Sequence, residues 1–147
     1  KIFKIVKFKT MNDQKYSDGK LLPDAQRLTA VGRFVRKTSI DELPQLIDVL
    51  QGSMSLVGPR PEVPKYVALY PEAVKSIVLS VRPGITDLAS IEYRSESELL
   101  GKSSNPEQTY IEEVMPAKLV YCVQYVERHS LWLDIQIIAR TFIAILK

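Results

Sequence analysis

The sequence predicts an α+β fold that is mainly helical, with a small β component near the N-terminus and after Gly84. Two observations favour this class: apolar residues recur at helical spacing over long stretches, and β-branched and aromatic residues are interspersed with lysines at the start of the chain. The chain has 147 residues, of which 46% are hydrophobic, a size that suits one domain with one core. We therefore treat residues 1–147 as a single domain.

The N-terminal quarter is predicted to contain a strand, a loop and a helix. Residues 2–9 have the composition of a half-exposed strand, and the polar stretch 12–22 that follows is typical of a loop. Pro23 and Asp24 then open a helix to about Lys37, because apolar residues recur there every three or four positions.

The next predicted helix begins at a sequence with the pattern of a capping box, Ser39-Ile-Asp-Glu. In this motif the Ser39 hydroxyl accepts a hydrogen bond from the Glu42 amide, and the Glu42 side chain reaches back. Gly52 would end the helix. This prediction places Asp41 and Glu42 in the first turn, at the positive end of the helix dipole.

The remainder of the chain is predicted to be helical except at three places. Three prolines over residues 59–64 indicate a stiff loop, a short strand follows Gly84 as far as Ile91, and residues 95–105 are a polar loop. The predicted helices are residues 71–79, 106–128 with Asn105 as N-cap and a bend at Pro116, and 131–146 with Ser130 as N-cap.

The last predicted helix, residues 131–146, is apolar on nearly all sides. It is shorter than the roughly 20 residues that a membrane span needs, and it contains polar residues. We favour a buried core helix, and docking on a membrane surface is the alternative.

Positive charge is concentrated at one end of the chain. Residues 1–37 contain ten Lys/Arg and three Asp/Glu, which gives this stretch a charge of +7 and the remainder −4. Such a cluster suits nucleotide phosphates, anionic lipid headgroups or nucleic acid. Nucleic acid is the least favoured of the three, because no recognition helix or aromatic platform accompanies the charge. The lone Cys122 excludes an internal disulfide and fits a reducing compartment.

Two groups of residues have the composition of a phosphate-processing site. Asp41 and Glu42 follow several cations closely, so Asp41 would stay ionised as a nucleophile toward phosphorus while Glu42 holds a divalent cation. The alternative is that both acids only cap the helix. Arg60 lies between two prolines, where a stiff loop would prepare its guanidinium for bidentate phosphate binding.

Further cations would complete an anion pocket, namely Lys7, Lys9 and Arg82. The alternative for these residues is a solvated surface.

At this point two longer motifs become informative: Arg36-Lys-Thr-Ser-Ile-Asp-Glu-Leu-Pro-Gln-Leu and Ser53-Met-Ser-Leu-Val-Gly-Pro-Arg-Pro. Together with Val81-Arg-Pro-Gly-Ile-Thr, they closely resemble the bacterial sugar transferases of the monotopic phosphoglycosyl transferase superfamily. The resemblance covers residues 1 to about 94. It departs over residues 86–94, where Thr-Asp-Leu-Ala-Ser-Ile-Glu-Tyr-Arg replaces the Thr-Gly-Trp-Ala-Gln-Val-Asn-Gly-Arg of many members.

The resemblance implies roles for individual residues. Asp41 would be the nucleophile, Glu42 the ligand of a magnesium ion, Mg2+, and Arg60 a diphosphate-binding residue. The further substrate- or phosphate-binding candidates are Arg36, Lys7, Lys9, Arg82 and Arg94.

The resemblance also implies a reaction. A sugar-1-phosphate would pass from a nucleoside-diphosphate sugar to a polyprenyl phosphate through a covalent Asp41 intermediate, with release of a nucleoside monophosphate. This would be the first membrane step of a bacterial glycan pathway such as exopolysaccharide synthesis, at the cytoplasmic face of the inner membrane. The family's N-terminal re-entrant membrane segment is absent here, so we expect this fragment to be soluble. The alternative is a catalytically silent, membrane-associated binding or regulatory domain of the same fold.

Overall fold

A computed structural model describes residues 3–20, 22 and 24–146, and helices dominate it. The helices are α1 Asp24–Arg27, α2 Ala30–Lys37, α3 Gln45–Leu50, α4 Pro64–Val67, α5 Glu72–Val78, α6 Leu88–Glu92, α7 Glu96–Gly101, α8 Pro106–Thr109, α9 Met115–Arg128 and α10 Leu131–Leu146. A 3₁₀ turn, Ile40–Glu42, precedes α3, and a π-helical turn, Tyr110–Val114, joins α8 to α9. With its small sheet, this architecture confirms the predicted α+β class.

The sheet consists of two short parallel strands, β1 Ser55–Val57 and β2 Gly84–Thr86. Ser55 pairs with Gly84 and Val57 with Thr86. Because the strands are parallel, both end at the same edge of the sheet. The loop after β1, which contains Arg60, and the residues after β2 therefore start side by side.

Helix α9 lies at the centre of two hydrophobic clusters. The first joins α5, the π turn and α9 through Val78, Tyr110, Val114, Met115, Leu119 and Cys122. The second joins β1, α9 and α10 through Val57, Tyr125 and Ile137. These clusters fix the sheet, and with it the loops at its edge, to the longest helical segment.

The predicted long helix is confirmed in its extent. The segments α8, the π turn and α9 are consecutive, and the Asn105 side chain accepts a hydrogen bond from the Gln108 amide at 3.3 Å. Pro116 lies at the start of α9, where it lacks the N–H that would continue the α-helical ladder. Sequence analysis predicted a bend at Pro116, and the structure has a π-helical turn immediately before it.

Several predicted elements are wrong. Residues 3–9 form no strand, and Met11, just after them, pairs with Leu28 in an isolated bridge; Ile2 lies outside the described residues. The helix predicted to open at Pro23, which also lies outside them, is interrupted between α1 and α2, where Thr29 caps α2 by accepting from the Gly32 amide at 2.9 Å. Residues 96–101 form α7 instead of a loop, and the strand after Gly84 gives way to α6 at Leu88.

Helix α10 is confirmed in its extent and its cap, since the Ser130 hydroxyl accepts from the Leu133 amide at 3.2 Å. Its predicted burial is wrong. Ile137 is fully buried, whereas six large apolar side chains are exposed: Leu131, Trp132, Ile135, Phe142, Ile143 and Leu146. Within the described residues, no helix has both the length and the apolar character that crossing a membrane requires.

Candidate active site

Asp41 and Glu42 lie on the 3₁₀ turn between α2 and α3. Ser39 enters this turn in the left-handed conformation, with a φ of 55°, and its side chain makes no capping hydrogen bond. The Glu42 amide donates instead to the Ser39 carbonyl at 3.1 Å. The predicted capping box is therefore wrong, because the Glu42 side chain is engaged elsewhere.

The partner of Glu42 is Arg60. The Arg60 Nη1 group donates to Glu42 Oε2 at 2.7 Å and Nη2 donates to Oε1 at 2.5 Å, which is the two-pronged geometry of a guanidinium on a carboxylate. Lys7 Nζ adds an ion pair to Oε1 at 3.3 Å. The pair is sheltered, with side-chain exposures of 18% for Glu42 and 30% for Arg60.

The pair stays fully charged. Burial acts to raise the pKa of Glu42, but the hydrogen bonds and positive charge of Arg60, with help from Lys7, outweigh it and lower the pKa. Burial acts to lower the pKa of Arg60, and Glu42, with smaller contributions from Asp87 and Asp41, raises it. A charged guanidinium is thus held next to two further carboxylates.

Asp41 differs from Glu42 in having no fixed partner. Its side chain is half-buried, and among residues 3–20, 22 and 24–146 it forms no hydrogen bond or ion pair. Its charge does act on Arg60. Both of its oxygens are therefore available to a ligand beside a strong cation.

The N-terminal segment is fastened to this turn. The Phe8 amide donates to the Asp41 carbonyl at 3.1 Å, and the Val6 amide donates to the buried Asp48 carboxylate at 3.2 Å. Between them, Lys7 reaches Glu42. Asp48, on α3, thus aligns the segment that brings Lys7 into the site.

The end of the sheet fixes Arg60 from the other side. Its Nη1 group donates to the Ile85 carbonyl at 3.0 Å, and its backbone amide donates to Asp87 Oδ2 at 3.3 Å. Both acceptors belong to β2 or to the residue directly after it. The loop after β1 is therefore attached to the end of β2 at Arg60, through both its backbone and its side chain.

The other predicted phosphate-binding cations lie outside this cluster. Lys9 forms an exposed ion pair with Asp13, and Arg36 Nε donates to Thr10 Oγ1 at 2.9 Å. Arg82 is exposed beside Gly52.

Arg94 contacts the ends of two helices. Its Nη2 group donates to the carbonyls of Lys37 and Ile145, at 3.3 and 3.5 Å. These carbonyls lie at the C-terminal ends of α2 and α10, where a cation is favoured by the helix dipole. Arg94 therefore joins two helices.

The sequence matches the family described as bacterial sugar transferase over residues 1–147. The chain belongs to the bacterial sugar transferase family. It is 42% identical over 141 residues to an uncharacterized sugar transferase, EpsL, of Bacillus subtilis (strain 168), covering 96% of this chain and 61% of that protein.

Two further relatives have names that state a reaction. An undecaprenyl-phosphate galactose phosphotransferase of Salmonella typhimurium is 38% identical over 126 residues, covering 86% of this chain and 23% of that protein. A UDP-glucose:undecaprenyl-phosphate glucose-1-phosphate transferase of Klebsiella pneumoniae is 37% identical over 147 residues, covering 96% and 29%. The chain thus spans between about a quarter and three-fifths of the length of these relatives.

Two residues of the candidate site were missed by sequence reasoning. Asp48 and Asp87 are buried carboxylates that accept backbone hydrogen bonds within the site. The available signal was their position in the family motifs: Asp48 replaces an asparagine after the Asp-Glu pair, and Asp87 replaces the glycine of Thr-Gly. An acidic residue where the family pattern has none deserves to be considered as a structural acceptor.

The carboxylates of the candidate site bear on whether a magnesium ion would fit there. Among the described residues, no group of three or more His, Cys, Asp or Glu side chains is placed to hold a metal. Magnesium commonly binds one or two carboxylates together with substrate phosphates, and Oε2 of Glu42, which accepts one hydrogen bond, retains accepting capacity. The cluster also contains one more carboxylate than cation, since Asp41, Glu42 and Asp87 face Arg60 and Lys7.

Proposed function

We propose that this chain is the catalytic unit of a transferase that moves a sugar-1-phosphate from a UDP-sugar to undecaprenyl phosphate. A carboxylate oxygen of Asp41 attacks the β-phosphorus, the bond to the α-phosphate oxygen breaks, and UMP leaves. A phosphate oxygen of the lipid then attacks the phosphorus of the Asp41 adduct, which frees the carboxylate and forms a lipid diphosphate sugar. Magnesium, when bound by Glu42, would neutralise charge on the diphosphate oxygens.

One observation carries this proposal: the Asp41 carboxylate, which has no hydrogen-bond partner among the described residues, acts electrostatically on the Arg60 guanidinium, and Glu42 and the Ile85 carbonyl hold that guanidinium in place. Arg60 is bonded to Glu42, Ile85 and Asp87. A cation fixed in this way stabilises charge that develops during phosphoryl transfer without having to reorganise. An acidic turn that only capped a helix would not need such a cation, and Ser39 makes no cap here.

The identity of the substrates is inferred from the relatives. Their names state UDP-glucose and undecaprenyl phosphate in one case and undecaprenyl phosphate and galactose in another. The same site would accept a UDP-sugar, because the proposed chemistry acts on the diphosphate. We leave the choice between the sugars to experiment, and we place the reaction at the cytoplasmic face of the inner membrane.

A membrane surface is the proposed location of the lipid substrate, and α3 supports it. This helix buries polar side chains and exposes apolar ones. Gln45 and Asp48 are buried, with exposures of 1% and 4%, whereas Leu46, Ile47 and Leu50 are exposed. Apolar side chains that face outward on a helix with a buried polar side indicate an apolar environment outside the protein.

Helix α2 extends this surface. It packs against the 3₁₀ turn, exposes Val31 and Phe34, and carries Arg33 and Lys37. We define the apolar face as the exposed side chains Val31, Phe34, Leu46, Ile47 and Leu50. Basic residues beside apolar ones suit the anionic headgroups of a bacterial membrane.

The test is a screen of UDP-sugars with the full-length protein in nanodiscs that contain undecaprenyl phosphate. We expect UMP release with one sugar or a few, and an adduct on Asp41 by intact mass and peptide mapping when the lipid is omitted. In the Asp41→Asn variant, both UMP release and the adduct should be lost. Asp13→Asn, which changes an exposed acid outside the site, is the matched control.

The outcomes separate the alternatives. UMP release that persists in Asp41→Asn would contradict the proposed nucleophile. A folded protein that binds UDP-sugars but never forms an adduct or releases UMP would favour a catalytically silent binding domain of the same fold.

A further inference from the structure

The end of β2 contains a buried carboxylate that the proposed reaction does not use. Asp87 is 2% exposed and follows β2 directly. Its Oδ1 accepts from the Ser90 amide at 2.7 Å and from the Ser90 hydroxyl at 2.5 Å. Its Oδ2 accepts from the Arg60 amide at 3.3 Å and from the Cys122 thiol at 3.8 Å. One carboxylate thus joins the loop after β1, helix α6 and helix α9.

The local geometry goes beyond what capping α6 requires. Oδ1 of Asp87, through its hydrogen bonds with Ser90, is sufficient to cap the start of the five-residue helix α6. The second oxygen faces away from α6, toward the main chain of Arg60 and toward α9. A buried carboxylate is costly unless hydrogen bonds and a nearby opposite charge compensate it, and Arg60 supplies both an amide donor and that charge.

We propose that Asp87 is a positioning residue for Arg60: it fixes the backbone and the charge environment from which the guanidinium reaches the diphosphate. This inference rests on the proposed function. In the described structure the guanidinium is bonded to Glu42. A diphosphate would compete with Glu42 for the guanidinium, and magnesium would compete with the guanidinium for Glu42. The bond at the Arg60 amide does not involve Glu42, so it keeps the backbone that carries the guanidinium in place while the partners of the guanidinium change.

Cys122 completes the arrangement as a donor. Burial raises the pKa of its thiol to about 12, and Asp87 adds to the effect, so the group is a protonated thiol at neutral pH. A thiol buried in the core of α9 donates to the oxygen that also accepts from Arg60. Cys122→Ser keeps a donor at this position, whereas Cys122→Ala removes it.

The test is a double-mutant cycle between Asp87 and Arg60 in the full-length protein. The four proteins are the wild type, Asp87→Asn, Arg60→Ala and the double variant, and kcat/KM is measured with the UDP-sugar that the screen identifies. Both oxygens of Asp87 accept hydrogen bonds, so in Asp87→Asn the NH2 group faces a donor in either orientation of the amide. The negative charge is also lost. We expect kcat/KM to fall roughly 100-fold, the effect of displacing a substrate-positioning group by about 1 Å.

The informative comparison is the effect of Asp87→Asn on kcat/KM in a protein that lacks the Arg60 side chain. In the Arg60→Ala background, Asp87→Asn should change kcat/KM by less than about threefold, because the group that it positions is gone. Cys122→Ser should retain more activity than Cys122→Ala. Tyr125→Phe is the matched control: it removes a buried donor to the Val57 carbonyl and to Asp134 without removing a hydrogen bond of Arg60, and its effect should be equal in both backgrounds.

An equal loss from Asp87→Asn in both backgrounds, or unchanged activity in a folded Asp87→Asn protein, would overturn the inference. If the wild type releases no UMP from any UDP-sugar, the proposed function fails, and the same four proteins are compared by their affinity for UDP with magnesium. Coupling between the two residues in UDP affinity would then support the positioning role alone. A wild type that does not bind UDP overturns both proposals.

Discussion

At the scale of single residues, the site is organised around Glu42. Sequence reasoning expected Glu42 to hold a cation and Arg60 to bind a diphosphate, and in the described structure the two side chains hold each other. The arrangement keeps both groups charged and in place before a substrate is present. Metal and diphosphate would then each replace part of an interaction that the protein already makes.

The charge state of Glu42 gives a pH-dependent prediction. Its pKa in the folded protein lies below its ordinary value of 4.5 because Arg60 and Lys7 outweigh burial. The stability that this depression provides is present above pH 4.5 and is lost as the pH falls through the folded pKa. Glu42→Gln should therefore lower the free energy of unfolding by about 1–3 kcal/mol at neutral pH, and the difference from wild type should shrink as the pH falls below 4.5 through the lowered pKa of Glu42.

Urea unfolding at a series of pH values measures this difference. Glu98→Gln, which changes an exposed acid on α7, is the control, and its effect should stay within about 0.5 kcal/mol. A Glu42→Gln difference that is the same at neutral and acid pH would contradict the assigned ion pair.

At the scale of elements, the close approach of the residue after β1 to the first residue of β2 requires glycine at position 84. A Cβ on Gly84 would lie 2.2 Å from the Gly58 amide nitrogen and 2.4 Å from the Gly58 carbonyl oxygen. Both are backbone atoms, so they cannot rotate away as a side chain would. We expect Gly84→Ala to lower the free energy of unfolding by about 1–3 kcal/mol, as overpacking typically does, and to displace the loop that carries Arg60.

Gly101 is the matched control for this substitution. It ends α7, and a Cβ built there meets nothing within 4 Å. Gly101→Ala should raise the free energy of unfolding by about 0.5–1 kcal/mol, because alanine loses less backbone entropy on folding. Thermal unfolding of the two variants would contradict this account if they shifted in the same direction.

The elements also show which local signals were sufficient. The helix from Asn105 to Arg128, helix α5 and helix α10 were predicted within a residue or two, because caps, prolines and helical spacing are local in the sequence. The strand predicted at residues 3–9 failed because its backbone groups are used elsewhere: the Phe8 amide bonds to the 3₁₀ turn at Asp41 and the Val6 amide bonds to Asp48.

Long-range pairings had no comparable signal. Strand β1 is three residues long and pairs in parallel with a strand almost thirty residues away, which no spacing rule indicates. The family motifs identified Asp41, Glu42 and Arg60, but not the bond between Glu42 and Arg60 or the acceptors Ile85 and Asp87. These contacts depend on the sheet, so they could be recognised only once the two strand ends were side by side.

At the scale of the whole molecule, the apolar face and α10 lie on connected parts of the surface. Arg94 ties the C-terminal end of α2 to that of α10, where Phe142, Ile143 and Leu146 are exposed. The burial predicted for α10 failed because an apolar helix sequence does not indicate how many of its sides the rest of the protein covers. The 3₁₀ turn that carries Asp41 lies between α2 and α3, so a membrane against the apolar face would bring a lipid phosphate close to Asp41.

This geometry predicts how the chain binds lipid. Leu50 is 88% exposed on α3, so Leu50→Ser should leave the free energy of unfolding in solution within about 0.5 kcal/mol of wild type. Its affinity for vesicles of phosphatidylglycerol and phosphatidylethanolamine should nevertheless fall roughly tenfold, the low end of what burying a leucine side chain contributes. Sedimentation of the chain with vesicles measures this affinity.

The control and the salt response identify the surface that binds. Leu99→Ser on α7 changes an exposed leucine outside the apolar face and should bind vesicles as the wild type does. Added salt should weaken binding of the wild type and of Leu50→Ser by the same factor, since it screens the basic residues beside the face and leaves apolar burial unchanged. If Leu99→Ser weakened binding as much as Leu50→Ser, the membrane would meet another side of the molecule, and the lipid phosphate would need another route to Asp41.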